Sequence, residues 1–102
     1  NPTDRIALLQ GLQAGVIDAI AIDHQPYTYE EKTLAFAEAP PGAIGLELAL
    51  PLLWQNLVET HALTALELWQ ALSTRPAECL EQFPEKIAPG RSTDLTLFSP
   101  HQ

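Results

Sequence analysis

Positive charge is scarce in this sequence. Five lysines and arginines stand against thirteen aspartates and glutamates, for a net charge of -8 over 102 residues. So acidic a surface argues against nucleic acid and against anionic membranes as partners. Cysteine occurs once, as Cys79, so there is no disulfide framework. A lone cysteine in a helical, apolar context reads as packing, and a reducing, cytoplasmic compartment is the natural inference. Methionine is missing, and the chain begins at Asn1-Pro2 with no signal segment, which suggests a piece of a longer polypeptide. Although 46% of the residues are hydrophobic, no apolar run is long enough to span a membrane. Neither a cysteine pair nor a His-x-His string offers a complete metal site. Internal repeats and low-complexity tracts are also absent.

What is present is organised around Ile17-Asp18-Ala19-Ile20-Ala21-Ile22-Asp23-His24-Gln25-Pro26-Tyr27. The β-branched Ile17, Ile20 and Ile22 and the length of the apolar run predict a buried strand over 17–22. A buried strand has no solvent to stabilise a carboxylate, so Asp23 belongs at its C-terminal rim, where parallel α/β folds gather their chemistry. There an aspartate serves as a metal ligand, a general base, or the cap of a loop or helix, and composition alone favours the cap.

Ile6, Leu9, Leu12 and Val16, with Leu8 beside them, predict a helix over 4–15, with Asp4 at its N-terminus and Gly15 as its stop. Thr28-Tyr29-Glu30-Glu31 has the form of a capping box opening a short helix through Ala37. Pro40-Pro41-Gly42 forms a rigid loop, and the nearby Gly45 fits a close backbone approach or, as these residues alone favour, an ordinary turn. Leu46 to Thr60 is an apolar helical segment, interrupted by Pro51, whose leucines predict burial on more than one side. Thr64-Ala65-Leu66-Glu67 is a second capping box, opening a helix to Leu72 with Leu68 and Trp69 facing the core. Ser73-Thr74-Arg75-Pro76 is expected to break it before a short helix through Leu80. A loop over 83–89 leads to a last strand over 93–98, where Leu95 and Leu97 alternate with Asp94 and Thr96. Two strands are too few for a self-contained sheet, so this α/β pattern is expected to complete a larger body.

Four strings then carry a resemblance. Ala21-Ile22-Asp23-His24-Gln25-Pro26-Tyr27-Thr28-Tyr29-Glu30-Glu31-Lys32 resembles the dihydroorotase signature ATDHAPHTxEEK. Glu38 to Glu47 is similar to that family's APFGxxGLE loop, Leu72-Ser73-Thr74-Arg75-Pro76-Ala77 to LSxNPA, and Pro89 to Leu95 to the PGxxADL that closes amidohydrolase-superfamily enzymes. The resemblance implies a TIM-barrel, metal-dependent cyclic amidohydrolase of which this chain is the C-terminal part. Residues 1–83 would supply the last barrel strand and its helices, and residues 84–102 the return strand to a small β-sandwich. The reaction implied interconverts N-carbamoyl-L-aspartate and dihydroorotate in pyrimidine synthesis, with zinc (Zn2+) as cofactor.

Carried over by position, Asp23 matches the aspartate that ligates zinc and acts as general base and acid. The family's other ligands would lie in the upstream barrel of the same protein, so 102 residues with one such carboxylate are expected to be inactive alone. Pro41 and Gly42 match the loop that offers backbone groups to the substrate, with Pro41 in place of a phenylalanine. Tyr27 stands where the family has a histidine that helps bind the substrate carboxylate. A neutral phenol offers a hydrogen bond without charge, and charge-assisted bonds are roughly twice as strong. His24 matches a position open to two roles, orienting Asp23 or packing behind it. Tyr27 favours a rival reading, a catalytically silent scaffold such as a partner of aspartate transcarbamoylase. A further alternative is a related cyclic amidase, a hydantoinase or allantoinase, against which the Glu30-Glu31-Lys32 and Pro40-to-Glu47 strings weigh.

Overall fold

The computed structural model describes residues 1–83, 86–92 and 94–101, and within them all regular structure is helical. Helix α1 runs Pro2–Gln13. Asn1 caps it by accepting the Thr3 N–H on its side chain at 2.9 Å, and Pro2 opens the first turn, where its missing N–H costs nothing. Gly15 ends it at φ +78, a conformation that glycine adopts without strain. None of its residues is buried: of the positions expected to form an apolar stripe, Ile6 and Leu8 are exposed, as is Val16 beyond the helix end.

The stretch over 17–22 is extended yet pairs with no strand among the described residues, which corrects the first expected strand. A strand is defined by a neighbour that takes its backbone groups. Here the Ile20 N–H instead donates to the Ala71 carbonyl at 3.0 Å, tying the segment to the helices that follow. The expected last strand over 93–98 fares likewise: Thr93 lies outside the described residues, and 94–98 form no ladder. That segment is anchored by its aromatic residue, since Phe98 lies 5.0 Å from the Trp54 ring and 5.7 Å from the Trp69 ring.

Helix α2 spans only Tyr29–Lys32, shorter than expected. The Thr28–Glu31 capping box forms in full, but Leu34 and Phe36 are exposed. So short a helix without a packed face has nothing to extend it. Helix α3 spans Leu46–Leu53 with Pro51 inside, and continues as a π-turn over Trp54–Val58 that closes when the Glu59 N–H reaches the Trp54 carbonyl. None of its residues is buried, and Leu46, Leu48 and Leu52 are exposed, so the expected burial on several sides is not supplied by these residues.

Helix α4 spans Ala65–Trp69 behind the complete Thr64–Glu67 capping box. The break expected at 73–76 does not occur. The helix passes through a π-turn over Gln70–Thr74 into α5, Arg75–Cys79, with helical backbone angles at Thr74 and Arg75. Pro76 has no N–H to return to the preceding turn, and the ladder widens ahead of it, the Arg75 N–H reaching back to the Gln70 carbonyl.

Among the described residues the buried hydrophobic side chains are Leu63, Leu68 and Ala71, with Leu68 wholly enclosed. Beside them Trp54 and Trp69 stack at 5.8 Å. The accessible surface is 8511 Å², against roughly 5,700 Å² for a compact domain of this mass. The radius of gyration is 16.8 Å, against about 13 Å for a compact chain of this length. Much apolar surface is therefore left uncovered by the chain's own residues.

Candidate functional site

The chain turns sharply where the extended segment ends. Asp23 has φ +49, in the left-handed region that few residues other than glycine enter. Aspartate tolerates it because its short side chain bonds locally. Here its Oδ1 accepts a hydrogen bond from Gln25 Nε2 at 2.8 Å. No backbone N–H among the described residues donates to the Asp23 carboxylate, so the capping role that composition favours is not the one seen. The side chain is exposed, and its Oδ2 accepts no hydrogen bond among the described residues.

After this turn the chain meets the loop over 40–45. The Gln25 N–H donates to the Ala43 carbonyl at 3.1 Å. His24 Nδ1 accepts the N–H groups of both Gly45 and Leu46, each at 3.1 Å. Lys32 Nζ donates to the carbonyls of Pro40 at 2.9 Å and Gly42 at 3.2 Å, and lies 5.8 Å above the Tyr27 ring, within cation–π range. Pro41, exposed, sits between the two carbonyls that Lys32 holds.

Gly42 is where the packing is closest. A Cβ there would lie 2.7 Å from Gln25 Cβ, 2.8 Å from Tyr27 Cε2 and 2.9 Å from Gln25 Oε1, and its φ of +142 already disfavours a side chain. The close backbone approach, rather than an ordinary turn, is therefore what Gly42 serves. Gly45 is close too, its Cβ position 3.3 Å from Ile22 Cγ2.

Of the residues singled out in the sequence, Tyr27 and Gly42 are thus in direct contact. Asp23 joins them through Gln25, and Pro41 borders them. His24, whose role the sequence leaves open, turns its Nδ1 to the loop rather than to Asp23. Lys32 and Gln25 are the residues that sequence reasoning passed over. Lys32 had a signal, since it ends the Glu30-Glu31-Lys32 string, but nothing in that string tells where its ammonium goes.

In this donor set Asp23 is free to serve as a metal ligand. Among the described residues no three histidine, cysteine, aspartate or glutamate side chains gather to hold an ion. His24 Nδ1 is engaged, and Asp23 keeps one carboxylate oxygen free. No helix among the described residues is long and apolar enough to cross a membrane.

A model of the amidohydrolase family matches residues 1–102. Over 102 residues the chain is 56% identical to a probable dihydroorotase-like protein of Synechocystis sp., covering 100% of this chain and 22% of that protein. It is 47% identical over 95 residues to a dihydroorotase of Geobacillus sp., covering 93% of this chain and 22% of that protein. A dihydroorotase of Brevibacillus brevis is 46% identical over 95 residues, with the same 93% and 22% coverage. The chain thus spans 22% of the length of the curated relatives it matches.

Proposed function

The chain belongs to the amidohydrolase family, and from that premise we propose that it is the C-terminal part of a zinc-dependent dihydroorotase. Residues 1–83 would complete a TIM barrel and residues 84–102 would return to a small β-sandwich. The observation that carries this reading is the convergence of Asp23 with the Pro40–Gly45 loop. An exposed carboxylate with one free oxygen stands beside a loop whose backbone is fixed by Lys32, Gln25 and His24. That is the arrangement a general acid–base needs next to a surface that orients its substrate.

The proposed reaction opens the ring of dihydroorotate with water to give N-carbamoyl-L-aspartate, and runs in reverse to form the ring. Asp23 would lend one oxygen to zinc, the remaining ligands coming from outside these residues. When bound, zinc polarises a carbonyl and makes a water more acidic. Asp23 accepts the proton of the attacking water and passes it to the departing ring nitrogen, ready for the next turnover. The left-handed turn at Asp23 and the Gln25 bond hold the carboxylate for both transfers. Backbone groups at Pro41 and Gly42 orient the ring, and the Tyr27 hydroxyl donates to the substrate carboxylate in place of a charged group.

Tyr27 also supports a second reading, a catalytically silent relative acting as a scaffold, for example for aspartate transcarbamoylase. The name of the Synechocystis relative, dihydroorotase-like, is in keeping with it. The test is turnover of dihydroorotate, a hydantoin and allantoin by the purified full-length protein, with and without a chelator. Chelator-sensitive turnover of dihydroorotate is expected. Preference for either other ring would move the protein to another cyclic amidase, and no turnover of any would favour the scaffold.

A further inference from the structure

Helix α3 has an unusual beginning. Its N-cap residue is Gly45, which has no side chain with which to cap the first turn. The free N–H groups of a helix start need acceptors from somewhere. They find one in His24, 21 residues earlier, whose Nδ1 accepts from Gly45 and Leu46 at 3.1 Å each. Since both partners are N–H donors, Nδ1 carries no proton and the imidazole hydrogen sits on Nε2. A next-door link runs the other way, from the Gln25 N–H to the Ala43 carbonyl. Two consecutive residues after Asp23 therefore grip both ends of the segment 43–46.

We infer that His24 is a positioning residue, a remote N-cap that docks the Pro40–Gly45 loop and α3 onto the Asp23 turn through Nδ1. It neither ligates metal nor moves a proton. Asp23 and the loop backbone are carried on different stretches of chain, and His24 fixes the distance between them. The kinetic consequence rests on the dihydroorotase reading: a loosened loop weakens substrate binding while the Asp23 chemistry proceeds, so KM rises more than kcat falls.

The test uses the full-length protein with His24→Ala, His24→Asn and His24→Gln. Asparagine can place its amide oxygen near the Nδ1 position, and glutamine reaches towards Nε2. For H24A, KM for dihydroorotate should rise about tenfold, the scale of two lost hydrogen bonds, with bound zinc retained. H24N should recover most of that and H24Q little of it. Hydrogen exchange gives a readout that needs no activity: the Gly45 and Leu46 amides should lose protection in H24A and H24Q and regain it in H24N. If wild type turns over no dihydroorotate, the functional reading falls and amide protection alone decides the role of His24. If H24A does not fold, the contrast between H24N and H24Q decides. Unchanged protection of both amides in H24A, equal behaviour of H24N and H24Q, or a loss of zinc with KM unaltered would each overturn the inference.

Discussion

Gly42→Ala is the sharpest perturbation that the site offers. The new methyl would lie 2.7 Å from Gln25 Cβ and 2.8 Å from the Tyr27 ring. Carbon atoms in contact settle at about 3.5–4.0 Å, so the loop and the Gln25–Tyr27 segment must part by on the order of 1 Å. The backbone cannot rotate the methyl away cheaply, because φ is +142 and the carbonyls of Pro40 and Gly42 are both held by Lys32. Strain of this kind costs roughly 1–3 kcal/mol by itself. Because Gln25 also carries the Asp23 bond, the displacement reaches the carboxylate as well as the loop.

A misplacement of about 1 Å at a catalytic group can cost about 10²-fold in rate, and kcat/KM of the full-length protein is expected to fall by that order. Steady-state hydrolysis of dihydroorotate measures it, with circular dichroism to verify the fold. Gly15→Ala is the matched control. Gly15 has φ +78 but nothing within 4 Å of its Cβ position, so it should lose about 1–2 kcal/mol of stability and no activity. A G42A protein as active as wild type would refute the claim that the close approach at Gly42 sets the site.

Two further outcomes follow from the packing and the caps. Leu68 is wholly buried, and Leu68→Ala should cost about 2–5 kcal/mol in urea unfolding of the full-length protein; an unmoved midpoint would show that the Leu63–Leu68–Ala71 cluster is no core. The Thr64 backbone N–H, donating to the Glu67 carboxylate, holds it below the usual carboxylate range, with a smaller contribution from the Thr64 side chain. A depressed folded-state pKa adds stability above the unfolded value of about 4.3, which is lost as pH falls through the lower folded value. The Thr64 amide resonance should therefore shift on acidification in wild type and stay put in Glu67→Gln; the same acid response in both would contradict the assignment.

Local features were legible in the sequence because their causes are local. The Thr28–Glu31 and Thr64–Glu67 capping boxes form as their spacing predicts, and Gly15 stops α1 as a left-handed residue should. The strands over 17–22 and 93–98 were not, because a strand exists only in relation to a partner, and the β-branched pattern names none. The continuity of the helix through Thr74 and Arg75 is not legible either, because a π-turn ahead of Pro76 carries the helix on, and nothing in the composition distinguishes a π-turn from a stop. Its neighbours put Asp23 where the extended segment ends, and the chain does turn there, but its proposed role comes from the resemblance. His24 was opaque for a simpler reason: its partners lie 21 and 22 residues away, beyond any local pattern. Gly42 showed a need for backbone freedom without showing that Gln25 and Tyr27 were what it had to admit.

In the proposed reaction Asp23 both ligates the metal and moves the proton. The most direct measurement compares full-length wild type with Asp23→Asn for bound zinc and for dihydroorotate hydrolysis in the same preparation. Stoichiometric zinc and turnover are expected in wild type, with D23N folded but losing nearly all turnover and binding zinc more weakly. A D23N protein that keeps both its zinc and its turnover would rule out both roles for Asp23.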